Sequence, residues 1–519
     1  MKKFSLGTRT LTLRDVHNFL SSSAEFSFEI SPALLKTLSK NAGYLEACGR
    51  KHIVYGFNTG LGPMAEHIIP PADRIQLQYN LITSHAMGAG ASLPEHIVRT
   101  IMLVRLATLL KGTSGIYPDA PLLLAQFLEH GITPIIPEHG SVGASGDLVQ
   151  LAHIALALIG KGDVIYKGKK TTAQKAIALA KLKPLSIKTR EGLALINGTA
   201  AMTGIGALVA LDARRLVAIS ELLSAAIYEI SGASREYISP EINVARGQRG
   251  QIEIAKRMRA ILESSSCLEK KTGDKKDHLE RGGTLPLEHV QHIYSIRCVP
   301  QVLGPILETC EETARIVEIE MNAVTDNPLT ITGKGIYHGG NFHGDAVSIA
   351  MDKTKIALTK LSMLSERQLN YLMNPKLNGV LPPFMNLGVI GKTLGLQGLQ
   401  FTATSTTAEN QMLSNPMSVH SISTNNDNQD VVSMGTNAAL MTKKVVDNTY
   451  QILAIEAVAI VRAIHHLDLT KKLSAQTRGL YMALVSKHLL ATEDVLTAED
   501  VAYVENILRT NDVLFSTEH

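Results

Sequence analysis

Tryptophan is absent from this 519-residue chain, and all aromatic residues together make up 4% of it. With Ala, Leu and Ile abundant, that mix favours helices over sheets. Cysteine is scarce too: Cys48, Cys267, Cys298 and Cys310 show no Cys-x-x-Cys spacing, which excludes a disulfide framework. The four fit a reducing cytosol, mostly as buried small apolar residues, and no metal site is expected. An excess of charge of either sign is missing as well. With 51 basic and 47 acidic residues the net charge is +4, too small to argue for nucleic acid or a membrane surface as partner. No apolar run reaches the length of a membrane span. Met1-Lys2-Lys3-Phe4 is basic, but Thr8, Arg9, Thr10 and Arg14 interrupt any apolar signal segment. The expected location is therefore cytoplasmic.

What is present is length, enough for a large core and for two to four domains. Lys3 to Leu13 reads as a short strand pair. Thr12 or Asp15 starts a helix to Ser21, and Ser31-Pro32 starts one ending near Cys48. Ile53 to Pro63, punctuated by Gly56, Gly60 and Gly62, is a loop. Helical patterns follow at Gln76 to Ser84, Pro94 to Leu110, Asp119 to His130, Leu148 to Ile159 and Ala173 to Ala180, with a small hairpin at Val164 to Lys170. The helix from Leu148 is apolar on nearly every face and should be buried. His153 within it reads as a satisfied core histidine more readily than as a ligand.

After Asn197-Gly198-Thr199 the character changes. Ala200 to Ile230, Val302 to Ala323, Ala346 to Leu372 and Lys443 to His466 are long helical stretches, several of them apolar all round. A long-helix bundle buried in an oligomer explains them better than a lone monomer. The expected fold is mainly α. A smaller α+β-like N-terminal domain spans 1–200, and a long-helix bundle domain, forming the core of the assembly, spans 201–519. Cys267 to Arg281 is charged, without apolar periodicity, and reads as a solvated loop. A terminal helix begins near Thr497.

Chemistry concentrates at Gly140-Ser141-Val142-Gly143-Ala144-Ser145-Gly146-Asp147, directly before the apolar run from Leu148. A helix N-cap by Ser145 or Asp147 is one reading. A nucleophile elbow fails because Asp147 stands where the last glycine belongs, and a phosphate loop fails for want of Gly-Lys-Ser/Thr. The other reading is cyclisation. If the turn presses the Gly146 amide nitrogen against the Ala144 carbonyl carbon, the backbone closes into a five-membered ring. Glycine suits the attacking position because it lacks a Cβ. Loss of water from the ring and from Ser145 then leaves an exocyclic methylene, an electrophile that no standard side chain supplies.

The other polar segments that interrupt the apolar helices are few. They are Tyr55 to Gly62, Ser84-His85, Ile196-Asn197-Gly198-Thr199, Tyr294-Ser295-Ile296-Arg297-Cys298, Asp326-Asn327-Pro328, Gly339-Gly340-Asn341-Phe342-His343 and Asn425-Asn426-Asp427-Asn428-Gln429-Asp430. With Gly-Ala-Ser-Gly-Asp, this set resembles the aromatic amino-acid ammonia-lyases, the family of histidine, phenylalanine and tyrosine lyases, over roughly residues 50 to 470. The bacterial tyrosine lyases are the nearest group in pattern. The resemblance implies a self-made methylidene-imidazolone ring from Ala144, Ser145 and Gly146, with no external cofactor. It captures the substrate amine and improves a poor leaving group covalently. The resemblance further makes Tyr55, carried on the glycine-rich loop with Gly62, the base for the β-proton; a phenol needs its proton affinity lowered to act near neutral pH. Helix N-termini would help, and the turns at Gly146, Asn197 and Asn327 are each expected to precede a helix.

Arg297 matches the arginine that grips the substrate carboxylate; an interhelical salt bridge is its structural alternative. Tyr294, three residues earlier, resembles the second family tyrosine and would share its helix face. Asn197 looks like the asparagine at the ring and amine, and Asn327 and Phe342 resemble residues lining the same pocket. The family builds its site from several subunits, which implies a homotetramer.

Two signals bear on which amino acid is taken. Ser84-His85 is the histidine-lyase pattern. Gln429, however, stands where histidine lyases have a glutamate, and an imidazole gains from a carboxylate as a phenol does not. Asn425, Asn428 and Gln429 follow the tyrosine-lyase pattern, and His85 could bond a phenolic hydroxyl. The expected reaction is elimination of ammonia from L-tyrosine to give p-coumarate. Histidine elimination to urocanate, a tyrosine 2,3-aminomutase, and a purely structural helical assembly are the alternatives.

Overall fold

A computed structural model describes residues 2–7, 9–21, 26–268 and 291–515. The charged stretch read as a solvated loop at 267–281 lies outside them from residue 269 onward. The chain divides into two compact units. One comprises Met1–Leu211, Thr313–Asp352 and Pro416–Lys443; the other comprises Asp212–Glu312, Lys353–Asn415 and Lys444–His519.

The first unit carries all the described strands, in four small sheets. Lys2–Ser5 does not pair with the residues just after it, as the sequence suggested. It lies parallel to Phe26–Glu29, Lys2 opposite Phe26, where Phe4, Phe19, Phe26 and Phe28 form an aromatic knot with centroids 5.1–6.3 Å apart. Burying those rings outweighs the short local turn that a hairpin would have used. The hairpin Asp163–Tyr166 with Lys169–Thr172 forms as expected, and Ile132–Pro134 extends it to three strands. Helices start where the sequence supplies caps. Thr12 and Asp15 form a reciprocal capping box, and the Ser31 hydroxyl accepts from Leu34 N–H ahead of Pro32. The helix Leu148–Leu158 is buried over most of its surface, and His153 is satisfied: its Nε2 accepts from Gly88 N–H at 3.2 Å.

The second unit is helical. It includes most of Ala200–Ser231, Asp345–Met373 and Gly435–His466, together with Gln397–Leu413, Ala475–Leu484 and the terminal Ala498–Thr510 capped by Thr497 and Asp500. Along Leu216 to Ile227 and Ile452 to Ile464 the side chains are almost wholly buried. Each large aliphatic residue so buried contributes about 1.5–3 kcal/mol. The fold is thus mainly α, with the strands confined to one unit. Of the cysteines only Cys310 is buried; Cys48, Cys267 and Cys298 are half-exposed, against the expectation that most would sit in the core. No helix among the described residues is long and apolar enough to cross a membrane.

Candidate active site

Gly146 sits in left-handed backbone, φ +74°, directly before the helix from Leu148. A Cβ there would stand 2.1 Å from the Gly198 carbonyl oxygen, so only glycine allows the 146 and 198 backbones to touch. Asp147 N–H donates to that oxygen at 2.8 Å, and Gly198 N–H reaches Ser145 O at 3.4 Å. The loop is held from its other side by Met434 N–H on Val142 O and by the Ser433 hydroxyl on Gly143 O, over a patch of Ala144, Val432 and Met434.

Asp147 occupies the N-cap position, but its carboxylate does not cap the helix. Oδ1 accepts from the Thr436 hydroxyl at 2.5 Å and Oδ2 from Met202 N–H at 2.8 Å. Complete burial lifts this carboxyl to about 6, with Thr436 and the Met202 and Ala201 N–H groups pulling the other way. Ser145 Oγ does not cap either: it accepts from Gln429 Nε2 at 2.8 Å. The Ser145 carbonyl accepts from Asn197 Nδ2 at 3.1 Å, while Asn197 Oδ1 is buried without a partner.

These atoms face a cavity of about 950 Å³. Of the residues expected at the site, Tyr55, Gly62, Ser84, His85, Ala144, Ser145, Asn197, Asn327, Phe342, Asn425, Asn428 and Gln429 line it; Gly146 does not, its backbone lying against Gly198. The Tyr55 loop is held at both ends. Its backbone N–H donates to His338 Nε2 at 3.3 Å, and its phenol oxygen accepts from Gly62 N–H at 2.9 Å. Gly62 itself has φ +55°, and a Cβ on it would press within 2.7 Å of the Asn425 amide. Asn425, Asn426 and Asp427 are all left-handed, a conformation that Asn and Asp tolerate better than other residues. The turn they form is closed by Thr424 and Gln429 pairing back to back.

Asn327 does not precede a helix, as the sequence suggested. The chain runs on into the hairpin Leu329–Ile331 and Gly335–Tyr337, and Asn327 Oδ1 accepts from Gly339 N–H at 2.8 Å. Its position is fixed from behind by Asp326, which is paired with Arg190 at 3.0 Å, both side chains fully buried. Helices do start at Leu148 and Ala200, after Gly146 and Asn197. Beneath Gly198 lies a second buried cation, Arg105. Its Nη2 donates to Ala194 O, its Nε and Nη1 have no partner, and burial lowers it to about 10.

Tyr294 and Arg297 are not brought to this cavity. They lie in the second unit, where the Arg297 guanidinium sits 4.7 Å from the Tyr294 ring centroid beside a separate cavity of about 560 Å³. Tyr294 is 70% exposed, and Arg297 Nε has no partner.

The structure adds lining residues that motifs alone did not single out. Leu77, Asn80 and Leu81 come from the helix Arg74–His85, at i, i+3 and i+4 spacing that continues to Ser84. That periodicity was available in the sequence. His343 and Asp430 close two of the quoted motifs, whereas Met64, His67, Ile69, Leu148, Leu193 and Val431 carried no such signal. Leu61, Leu77, Leu81, Leu148, Leu193, Phe342 and Val431 make much of the wall apolar. Among the described residues, the lining's one carboxylate belongs to the exposed Asp430. His85 Nδ1 lies 2.9 Å from the Leu81 carbonyl oxygen, which can only accept, and 3.1 Å from Ser84 Oγ; in the tautomer that donates Nδ1–H to Leu81, Nε2 is left as an acceptor.

A phenol, a hydroxyl, an uncommitted amide oxygen and an apolar wall with a ring-nitrogen acceptor suit proton abstraction from a small aromatic molecule. The comparisons with known proteins agree. The family model described as aromatic amino acid lyase matches residues 11–486. A histidine ammonia-lyase of Geobacillus thermodenitrificans is 41% identical over 436 residues, covering 84% of this chain and 83% of that one. A tyrosine 2,3-aminomutase of a Myxococcus species is 41% identical over 447 residues, covering 84% of each. Among solved structures, tyrosine aminomutase from Streptomyces globisporus matches with a TM-score of 0.92 at 34% identity, over 99% of this chain and 98% of that one. The chain belongs to the aromatic amino acid lyase family, as a carbon–nitrogen lyase.

Proposed function

We propose that this chain eliminates ammonia from L-tyrosine to give p-coumarate. The observation that carries the substrate choice is the polar end of the cavity. His85 offers Nε2 as an acceptor to a phenolic O–H, and the neutral Gln429, itself engaged with Ser145 Oγ, offers no carboxylate to an imidazole. In the elimination the Cα–N bond breaks, the β-proton leaves for a base, and the freed electron pair forms the Cα=Cβ bond. Tyr55 is the base in this reading. Its oxygen lies in the cavity with Gly62 N–H already donating to it, and an anionic form would keep that donor.

The residues at 144–146 fit a methylidene-imidazolone ring. Gly146 lacks the Cβ that would hold its amide away, the carbonyl of Ser145 is gripped by Asn197, and the unpartnered Asn197 Oδ1 is free to accept from an ammonium. Such a ring would supply the electrophile that makes the amine a leaving group. The buried Arg105 beneath Gly198 and the helix N-termini at Leu148 and Ala200 favour negative charge at this end of the cavity.

Arg297 and Tyr294 are read as substrate-carboxylate clamp and proton relay contributed by a neighbouring chain, in a homotetramer. Exposed apolar side chains on the second unit support assembly: Phe401 and Met412 on Gln397–Leu413 are 64% and 69% exposed. The second reading, a tyrosine 2,3-aminomutase, is favoured by the Myxococcus and Streptomyces relatives. Purified protein given equal L-tyrosine and L-histidine tests both. Faster p-coumarate than urocanate supports the proposal; faster urocanate rejects it; accumulation of β-tyrosine moves the assignment to the mutase.

A further inference from the structure

The second unit contains another cavity, of about 550 Å³, that shares no lining residue with the one at Ser145. Its polar end is unusual. Arg214 lines it and has no hydrogen-bond or ion-pair partner among the described residues, whereas the adjacent Arg215 is engaged by Leu508 O and Asp512 at 2.7 and 2.6 Å. This half-exposed guanidinium is thus open to an anion, which its planar fork can grip with two parallel donors. At the other end, Glu221 is 4% exposed and receives one stretched contact, 3.5 Å from Arg257, whose Nε is already committed to Glu253 at 3.0 Å. Burial lifts the Glu221 carboxyl to about 7, so near neutral pH it can either accept or donate.

Arg214 and Glu221 stand seven residues apart on one helix, hence on the same face and about 10 Å apart along its axis. Ala218 stands between them, Leu222, Ile261, Leu307 and Phe515 add apolar wall, and the rim also carries Arg257, Gln476 and Glu311, whose carboxylate is taken by Arg249 at 2.6 Å. One helix face therefore presents a guanidinium and a carboxyl to the same cavity, with Ala218 between them. We infer that this cavity binds a small rod-shaped aromatic monocarboxylate, its carboxylate on Arg214 and a hydroxyl at its far end on Glu221. The product proposed above belongs to that class, but the binding does not depend on the chain making it.

Calorimetric titration of the full-length assembly with 4-hydroxycinnamate tests this. A class of sites, one per chain, is expected to disappear or weaken at least tenfold in Arg214→Ala. Ala218→Phe, which fills the slot and keeps both charges, should remove the same class. Turnover of the amino-acid substrate, measured before product builds up, should stay within twofold in both variants, which separates this site from the Ser145 cavity and reports that the variants fold. Cinnamate, lacking the hydroxyl, should bind that class more weakly. Binding unchanged in both variants would overturn the inference, and equal affinity for the two acids would overturn the role of Glu221. Failure of p-coumarate formation by the wild-type enzyme would sink the earlier proposal and leave this one standing.

Discussion

Gln429 Nε2 donates to Ser145 Oγ at 2.8 Å, so a neutral amide stands against the serine of the Ala-Ser-Gly turn. An amide at this position can donate or accept but offers no charge to an imidazolium. Gln429→Glu should therefore raise the ratio of urocanate to p-coumarate formation by about tenfold, about 1.4 kcal/mol of transition-state preference. The overall rate should fall, because the uncyclised chain loses the donor that holds the Ser145 hydroxyl before dehydration. Competition kinetics with both amino acids measure the ratio; an unchanged ratio would remove Gln429 from the specificity argument.

His85 makes the complementary prediction. Its Nε2 is the acceptor that a phenol would use, and an acceptor that a bound ring shuts off from water without a partner is penalised. His85→Phe should improve phenylalanine relative to tyrosine in kcat/KM by about 10–100-fold, roughly 1.4–2.8 kcal/mol. A variant that loses both substrates equally would show that His85 shapes the cavity without reading the hydroxyl.

Ser145→Ala separates chemistry from folding. In the uncyclised chain its hydroxyl makes one hydrogen bond, worth about 1 kcal/mol, so the variant should still fold and melt cooperatively. Turnover should fall by at least about 10³-fold if an electrophile derived from this serine carries the reaction. Intact mass should show the wild-type chain lighter by two waters and the variant undehydrated.

Helix positions were legible from sequence because caps and apolar periodicity are local. Ser31-Pro32, Thr12 with Asp15, and Thr497 with Asp500 all start helices within a residue of their signals. The motifs around Ser145, Tyr55 and Gln429 pointed to residues that do line one cavity. What the sequence could not reveal depended on distant partners. Lys2–Ser5 chose Phe26–Glu29 because four phenylalanines could bury together. Asn327 leads into a hairpin whose placement rests on the buried Arg190–Asp326 pair, 136 residues apart in the chain. Nothing local marks Arg105 or Arg190 as buried, since arginine is ordinarily a surface residue.

Glu456 predicts a pH dependence of stability. It is fully buried in the second unit; one carboxylate oxygen accepts from Ser365 at 2.5 Å and the other has no partner. Burial lifts it from 4.5 to about 8. Because the native carboxyl holds its proton more tightly than the unfolded one, this group's contribution falls as pH rises from about 4.5 to about 8, by up to about 5 kcal/mol. Glu456→Gln cannot ionise and should lose that slope, though its amide N–H leaves a donor unpaired at every pH. The difference in melting temperature, variant minus wild type, should therefore increase steadily between pH 5 and 8. A pH-independent difference would mean that water reaches this carboxyl.

The separation of Arg297 from the Ser145 cavity yields a test that one chain cannot pass alone. Arg297 and Tyr294 lie in the second unit and line their own cavity, with Arg297 Nε unpartnered and Tyr294 exposed. If these side chains serve the Ser145 cavity of a neighbouring subunit, Ser145→Ala and Arg297→Ala each disable every site in a homo-oligomer. Loss of the bidentate carboxylate contact should cost about 10²-fold or more in kcat/KM, a fully desolvated charged hydrogen bond being worth roughly 2–4 kcal/mol. In mixed assemblies of the two variants, some sites combine an intact Ser145 from one chain with an intact Arg297 from another. Co-expression should then restore a substantial fraction of wild-type activity, while mixing the purified variants without subunit exchange should restore none. A co-expressed mixture as inactive as its parents would place Arg297 outside the shared site and leave it the structural role of pairing with Tyr294.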